Sequence, residues 1–330
     1  MTGLTRPRLA WALSFLSIYC FSSAAARAQA SVPERGEGTV TLTYQNYDVV
    51  GHFDVQGRTN ANGSTRSQAL VTELDYGLID EFGLVVSLPL IASKYTGPPS
   101  YFVGPYLTFP GPLDDGAYHA AFQDLRIELR RQWSAGPVPV TPFIGISFPT
   151  HAYETVGEAV PGRHRRDLQL GISTGMDLDR VLPAGSYVQG RYAYGTMERV
   201  DDLPFTRSNI DVDVGLATVA RILVRALADW QIRHSGPTLA ELAPDWVHHD
   251  RFIAPSFINL GGGASVTLTP TIDLFGLFVA TAAGSNGAHR QRTLVFGVDF
   301  AFGSRLRGLG GADAGSEPAS AARRAMERFR

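Results

Sequence analysis

A single cysteine, Cys20, is the whole thiol complement of this 330-residue chain, so no internal disulfide can staple the fold. It lies in an opening segment where Arg6 and Arg8 precede an apolar run from Leu9, and Ala28-Gln29-Ala30 closes the run with small residues. That order is the order of a secretory signal peptide, residues 1–30, expected to be cleaved after Ala30. Ile18 and Tyr19 ahead of Cys20 do not form a lipoprotein cleavage box, so no lipid anchor is expected there. Beyond Ala30 the chain lacks any apolar run near the roughly 20 residues that a membrane helix requires. Charge is scarce too: 18% of residues are Asp, Glu, Lys or Arg, against roughly 25% in soluble domains. With Lys and Arg totalling 29 and Asp and Glu 31, there is no basic excess to hold nucleic acid. An exported chain without disulfides or membrane helices can be a packed β core in water or a wall of strands in a membrane.

What the chain has in quantity is alternation, the primary sign of strands. In "QALVTELDYGLI" Leu70, Leu74, Tyr76 and Leu78 share one face while Glu73 and Asp75 share the other. In "DLRIELRR" Leu125, Ile127 and Leu129 alternate with Asp124, Arg126, Glu128 and Arg130. "DLQLGISTGMDL", "NIDVDVGL" and "RTLVFGVDFAFG" repeat the pattern, the last with Phe296, Phe300 and Phe302 opposite Asp299. A helix would scatter these faces. The segments predict about twelve strands, near 39–48, 67–79, 83–93, 122–134, 139–149, 166–178, 186–197, 208–219, 222–233, 253–269, 271–283 and 291–302. The segment "ILVRALADWQIR" at 222–233 also reads as a helix.

The connections are expected to alternate in length. The odd-numbered links read as the longer kind, among them "KYTGPPSYFVGPYLTFPGPLDDGAYHAA", "THAYETVGEAVPGRHR", "ERVDDLPFTR" and "GSNGAH". The even-numbered links, such as "DEF" and "TP", read as short. Up-and-down strands would gather the long links at one end, as in outer-membrane barrels with short periplasmic turns and long external loops. An open sheet in lipid would leave edge N–H and C=O groups unpaired at several kcal/mol each, so the sheet should close on itself. The fold class expected is therefore all-β: a closed antiparallel up-and-down transmembrane barrel over 31–303, both termini periplasmic, phenylalanines to lipid and Asp299 to the lumen. The opposite choice would put Arg126 and Arg130 in hydrocarbon, where a midplane Arg costs roughly 2–4 kcal/mol.

Four stretches, "LDYGLIDEFGLVVSLPLI" at 74–91, "FQDLRIELRRQW" at 122–133, "PFIGISFPT" at 142–150 and the closing "FGVDFAFG", carry a resemblance. They resemble the outer-membrane β-barrel family of transporters named for the meta-cleavage (MetA) pathway of phenol degradation. Gln123 stands where that pattern would place a glycine before Asp124-Leu125, and His151 where one would follow Pro149-Thr150. Barrels of this sort commonly end on an aromatic residue that the barrel assembly machinery reads. Here a tail rich in Gly, Ala, Ser and Arg, residues 304–330, follows instead and is expected to be a flexible periplasmic extension. The resemblance implies a transporter, with outer-membrane lipid and the assembly machinery as partners and a hydrophobic or aromatic small molecule as solute.

No nucleophile and base are recognisable in the sequence. The histidines beyond residue 30 fall in or beside the expected external loops, none of them in a strand next to a serine, so no catalytic residues are assigned. Paired acids such as Asp211 and Asp213 read as polar lumen lining. His248, His249 and Asp250 lack the spacing of a zinc site, and "NLGGGAS" at 259–265 lacks the Lys-Ser/Thr of a phosphate loop, its glycines marking a bend or tight approach. No metal or other cofactor is expected. The candidate lumen residues are Glu73, Asp75, Arg126, Glu128, Arg130, Arg191, Asp211, Asp213 and Asp299, with Arg225, Asp229 and Asp273 beside them. Both signs occur, so charges should pair across the bore. Tyr95, Tyr101, Phe102, Tyr106 and Phe109, in the loop at 94–120, form a candidate aromatic solute site if that loop folds inward. The function expected is a channel that passes or binds a small solute by passive diffusion. The alternative is a non-transporting barrel whose external loops serve adhesion or scaffolding.

Overall fold

The computed structural model describes residues 31–303, except 62, 99–100, 104–106, 110, 134–137, 201, 219–220 and 243–248, with backbone alone at 101–103, 107–109, 200, 240, 242 and 249–250. The expected signal peptide at 1–30 and the tail at 304–330 lie outside the described residues. The strands are β1 (Gly38–Phe53), β2 (Thr59–Asn60), β3 (Ser64–Ile79), β4 (Phe82–Thr96), β5 (Tyr101–Val103), β6 (Leu107–Phe109), β7 (His119–Phe122) and β8 (Asp124–Arg131). After them come β9 (Val140–Pro149), β10 (Asp167–Asp177), β11 (Tyr187–Val200), β12 (Leu203–Ala217), β13 (Ile222–Ser235), β14 (Ser256–Thr269), β15 (Ile272–Ser285) and β16 (His289–Phe302). The β5–β6 hairpin stands apart. In the main sheet β2 only extends β1, and β7 and β8 run in line along β4, so twelve wall strands remain. Each pairs antiparallel with its neighbour in sequence, and β16 returns to β1 in a ladder from Gly38↔Phe302 to His52↔His289. That last ladder closes the barrel. No helix among the described residues is long and apolar enough to cross a membrane.

The pleat sorts side chains into an inner and an outer set. Leu70, Leu170, Phe278 and Phe296 project outward with about half of their surface open, at 47%, 53%, 49% and 53%. The alternate positions of the wall strands, Val71, Phe143, Val279 and Val295 among them, are nearly or fully buried inside. Outward apolar residues this numerous would be a liability in water but are the belt that lipid requires. A 14-residue strand such as β13 spans roughly 35 Å of barrel height at the usual rise and tilt, more than the ~25 Å belt. The segment 222–233, which also has a helical reading, is strand: Arg225 and Asp229 face inward, Val224 and Trp230 outward.

Two connections differ from expectation. The link expected as "ERVDDLPFTR" shrinks to the two positions between Val200 and Leu203, up to which β11 and β12 stay paired, with Asp202 at φ 58°. The link before β16 is likewise tight, with Asn286 at φ 54° and Gly287 at φ 79°. Connections at 132–139 and 178–186, on the opposite end, are longer than either. The sorting therefore holds for the long loops alone: 54–63, 97–118, 150–166 and 236–255 all lie at one end, the outer end of the barrel. At the inner end residues 32–34 turn back into the barrel mouth. Val32 N–H donates to Gln132 Oε1 at 2.9 Å, Gly36 N–H to Gly77 O at 2.9 Å, and the Val32 side chain packs on Gly83.

Inward glycines make room for large inward neighbours. The Phe143 ring lies over Gly171, Tyr187 over Gly215, and Phe275 over Gly297. Leu227 and Val279 close over Gly261, where a Cβ would come within 2.7 Å of both, which accounts for the glycine run in "NLGGGAS". Filling one of these sites should therefore overpack the core. Gly297→Leu is expected to lower stability by about 1–3 kcal/mol, read as an earlier urea midpoint for loss of the heat-modifiable folded band; an unchanged midpoint would show that the ring does not occupy that space.

Candidate functional site

The lumen is filled rather than open at mid-height. Glu73, Asp75, Arg126, Glu128, Arg130, Arg191, Asp211, Asp213 and Asp299 all lie on the inward face, each 6% exposed or less, as do Arg225, Asp229 and Asp273. Glu128 is the hub. Arg191 reaches it from three strands away in a bidentate pair, Nη1 to Oε1 at 3.1 Å and Nη2 to Oε2 at 2.7 Å, while Arg126 Nη2 donates to Oε2 at 2.7 Å. On its way Arg191 passes the Phe143 ring, which is seated over Gly171, with the guanidinium 3.5 Å from the ring centroid. Arg130 pairs with Asp75. Asp213 accepts from Arg225 at 2.6 Å, Gln189 at 3.0 Å and Tyr187 at 3.2 Å, and Asp299 accepts from Thr41. The remaining inner wall carries an apolar cluster, Leu227, Phe275, Leu277, Val279 and Val295, beside these charges. Composition gave no hint of it, since the same residue types also make the outer belt. Taking paired ions out of water is compensated only where geometry is good, and removing one partner of such a pair typically costs about 3–5 kcal/mol.

Above this layer, at the outer end, the lumen opens into a cavity of about 160 Å³. Its wall mixes Val49, Met197 and Phe257 with Asp124, Arg126, Asp167 and Arg207, and its roof is the loop at 150–166, which dips inward at Glu158 to Arg163. That volume is room for on the order of ten waters or one small organic molecule. The roof is held from several sides. Asp114, in the loop at 97–118, accepts N–H bonds from Glu158 at 2.9 and 3.0 Å and from Ala159 at 3.1 Å. Thr65 donates to Glu158 O at 3.1 Å, and Tyr153 donates to Asp124 at 2.6 Å while accepting from His164 N–H at 2.9 Å. Burial, with the Asp124 carboxylate beside it, raises the Tyr153 phenol above its usual range, so it stays a donor. Arg207 grips Asp167 with both terminal nitrogens, at 3.1 and 2.8 Å. Arg165 is drawn down to about 10 by burial first and by Arg251 next, and remains charged at neutral pH, donating to the carbonyls of Glu198 and Leu203.

Of the residues expected to form an aromatic site, Tyr95 alone has a described side chain. Tyr95 is buried at the end of β4, its ring over Gly63 and Gly97 and its hydroxyl donating to Pro98 O at 3.0 Å. Tyr101, Phe102 and Phe109 are described by backbone alone in β5 and β6, and Tyr106 lies outside the described residues. Among the described residues outside the strands, the cavity wall includes Gln123, Gly287 and parts of 158–163 and 253–255. The segment 150–166 carried a usable signal in its length and in Gly157, Pro161 and Gly162, but the contact that draws it inward, Asp114, is 44 residues away. The histidines differ from expectation. His52 and His289 lie in β1 and β16 facing each other across the closing ladder, and His234 lies in β13 beside Ser208. No three His, Cys, Asp or Glu side chains gather as a metal site among the described residues.

No protein-family model and no curated protein matches the chain. Among solved structures it is similar to an outer-membrane channel from Pseudomonas putida F1, with a TM-score of 0.60 at 12% identity over 84% of this chain and 99% of that one. It is similar more loosely to the translocator domain of the autotransporter NalP from Neisseria meningitidis, at TM-score 0.46 and 12% identity over 88% and 97% of the two chains. A monoaromatic hydrocarbon channel gives 0.41 at 10% identity over 82% and 90%. The first likeness shows the fold, and the chain is an antiparallel β-barrel of the outer-membrane type.

Proposed function

We propose that the protein is a bacterial outer-membrane channel that captures a small solute in the outer cavity and passes it by diffusion down its gradient. The observation that carries this reading is the cavity itself, the opened part of a lumen that is otherwise packed with side chains. Its wall offers aliphatic and aromatic surface next to paired charges, which suits a molecule with an apolar body and one polar group. The sequence resemblance to the meta-pathway transporters points the same way, toward aromatic solutes, with outer-membrane lipid as the surroundings and the barrel assembly machinery as the route of insertion. Passage requires the roof at 158–163 to lift and the Glu128 pairs to rearrange, so transport is gated. The filled mid-section also favours a second reading, a non-transporting barrel that presents its outer loops to a partner.

Flux separates the two. Liposomes containing the refolded barrel should take up radiolabelled benzoate faster than glucose and faster than empty liposomes do; equal leakage in all cases would favour the second reading. The roof can be tested separately. Asp114→Ala removes the carboxylate that receives the Glu158 and Ala159 amides, and is expected to raise benzoate flux several-fold and to expose 155–163 to protease. Unaltered flux together with an exposed loop would mean that the roof does not gate the lumen.

A further inference from the structure

On the outside of the wall, near the outer rim, β11, β12 and β13 bring Tyr192, Ser208 and His234 together. The ladder between β12 and β13 pairs Thr206 with Ser235 and Arg207 with Arg233, so His234 is the extra residue of a bulge. Bulges re-aim side chains, and this one carries His234 Nε2 to 2.7 Å from Ser208 Oγ. Tyr192 Oη lies 2.9 Å from the same oxygen. A serine hydroxyl has one proton. The geometry accommodates the order a general base needs, the phenol donating to Ser208 and Ser208 donating to an unprotonated Nε2. The Tyr194 ring stacks on His234 at 5.8 Å and 21°, holding its plane.

We propose that Ser208 and His234 form a hydrolytic site for acyl esters of lipids in the outer leaflet. Tyr192, Tyr194 and Trp230 project outward around it, at 43%, 43% and 44% exposure. Such aromatics settle at the boundary of headgroups and acyl chains, which is the level of lipid ester carbonyls. Ser208 Oγ attacks the ester carbonyl carbon and its proton passes to Nε2. The tetrahedral adduct then expels the lipid alkoxide, which takes that proton and leaves as an alcohol. Water, deprotonated by the same nitrogen, cleaves the acyl–Ser208 ester to release the fatty acid and restore the serine. The net reaction is ester plus water to acid plus alcohol. Tyr192, which ceases to donate to Ser208 as that oxygen bonds the carbonyl carbon, is the hydroxyl at hand for the oxyanion. Ser208 is 4% exposed, and the ring of Tyr192 must turn off the wall to admit substrate.

The test uses full-length protein refolded from inclusion bodies, its folding checked by heat-modifiable migration. It is given vesicles of acyl-labelled phosphatidylcholine, vesicles of acyl-labelled lipid A, and separately a fluorophosphonate probe. Acyl release from one vesicle type would name the lipid source. Release and probe labelling at Ser208 should both vanish in Ser208→Ala, and release should fall about 100-fold or more in His234→Phe, which keeps the stack on Tyr194 but loses the base. A folded protein that neither releases acyl chains nor takes the probe overturns the proposal, as does undiminished release in Ser208→Ala. The site is outside the lumen, so benzoate flux should be the same in Ser208→Ala, and either result leaves the channel reading where it stands.

Discussion

Backbone N–H and C=O groups in lipid have no water to bond, and each one left unpaired costs several kcal/mol. The ladder between β16 and β1 removes the two edges that an open sheet would leave in that medium. Closure then decides the rest of the architecture. It gives the pleat an inside and an outside, sends Phe296 and Phe300 to one and Val295 and Asp299 to the other, and places both ends of the described chain at the same mouth.

The inside so created is too narrow for a free bore and too polar to be an oil core. It is solved by complementarity of size and of charge. Large rings lie over glycines, Phe143 over Gly171 and Phe275 over Gly297, while three arginines and two acids interlock as Arg126–Glu128–Arg191 and Arg130–Asp75. The two schemes meet at Phe143, whose ring is seated over Gly171 and lies against the Arg191 guanidinium that crosses two strands to Glu128. The filling stops short of the outer mouth, where a loop anchored by Asp114 covers the remaining space. The open outer cavity and the closure below it are therefore consequences of one packing arrangement.

Much of the wall was legible in the sequence because a strand advertises itself locally: two-residue alternation places Arg126, Glu128 and Arg130 on one face whatever the partner strands are. Even "ILVRALADWQIR", which alternates weakly enough to suit a helix, becomes strand once its neighbours demand edges to pair with. The parts that were not legible depend on distant contacts. Loop length alone could not show that β11 and β12 remain paired up to Val200 and Leu203. Aromatic content singles out 94–120, but the contact by which that segment's Asp114 holds the 158–163 roof spans 44 residues and has no local sign. His234 looked like a loop residue because a bulge shifts the parity of its strand, and parity is all that alternation reports.

The central claim, that the lumen of the resting protein is filled and roofed, is tested most directly by single-channel conductance of the folded barrel in a planar bilayer. The expected record is a closed baseline broken by brief, small openings, which lengthen when residues 155–162 are deleted. A steady, wide conductance from the unaltered protein would contradict it.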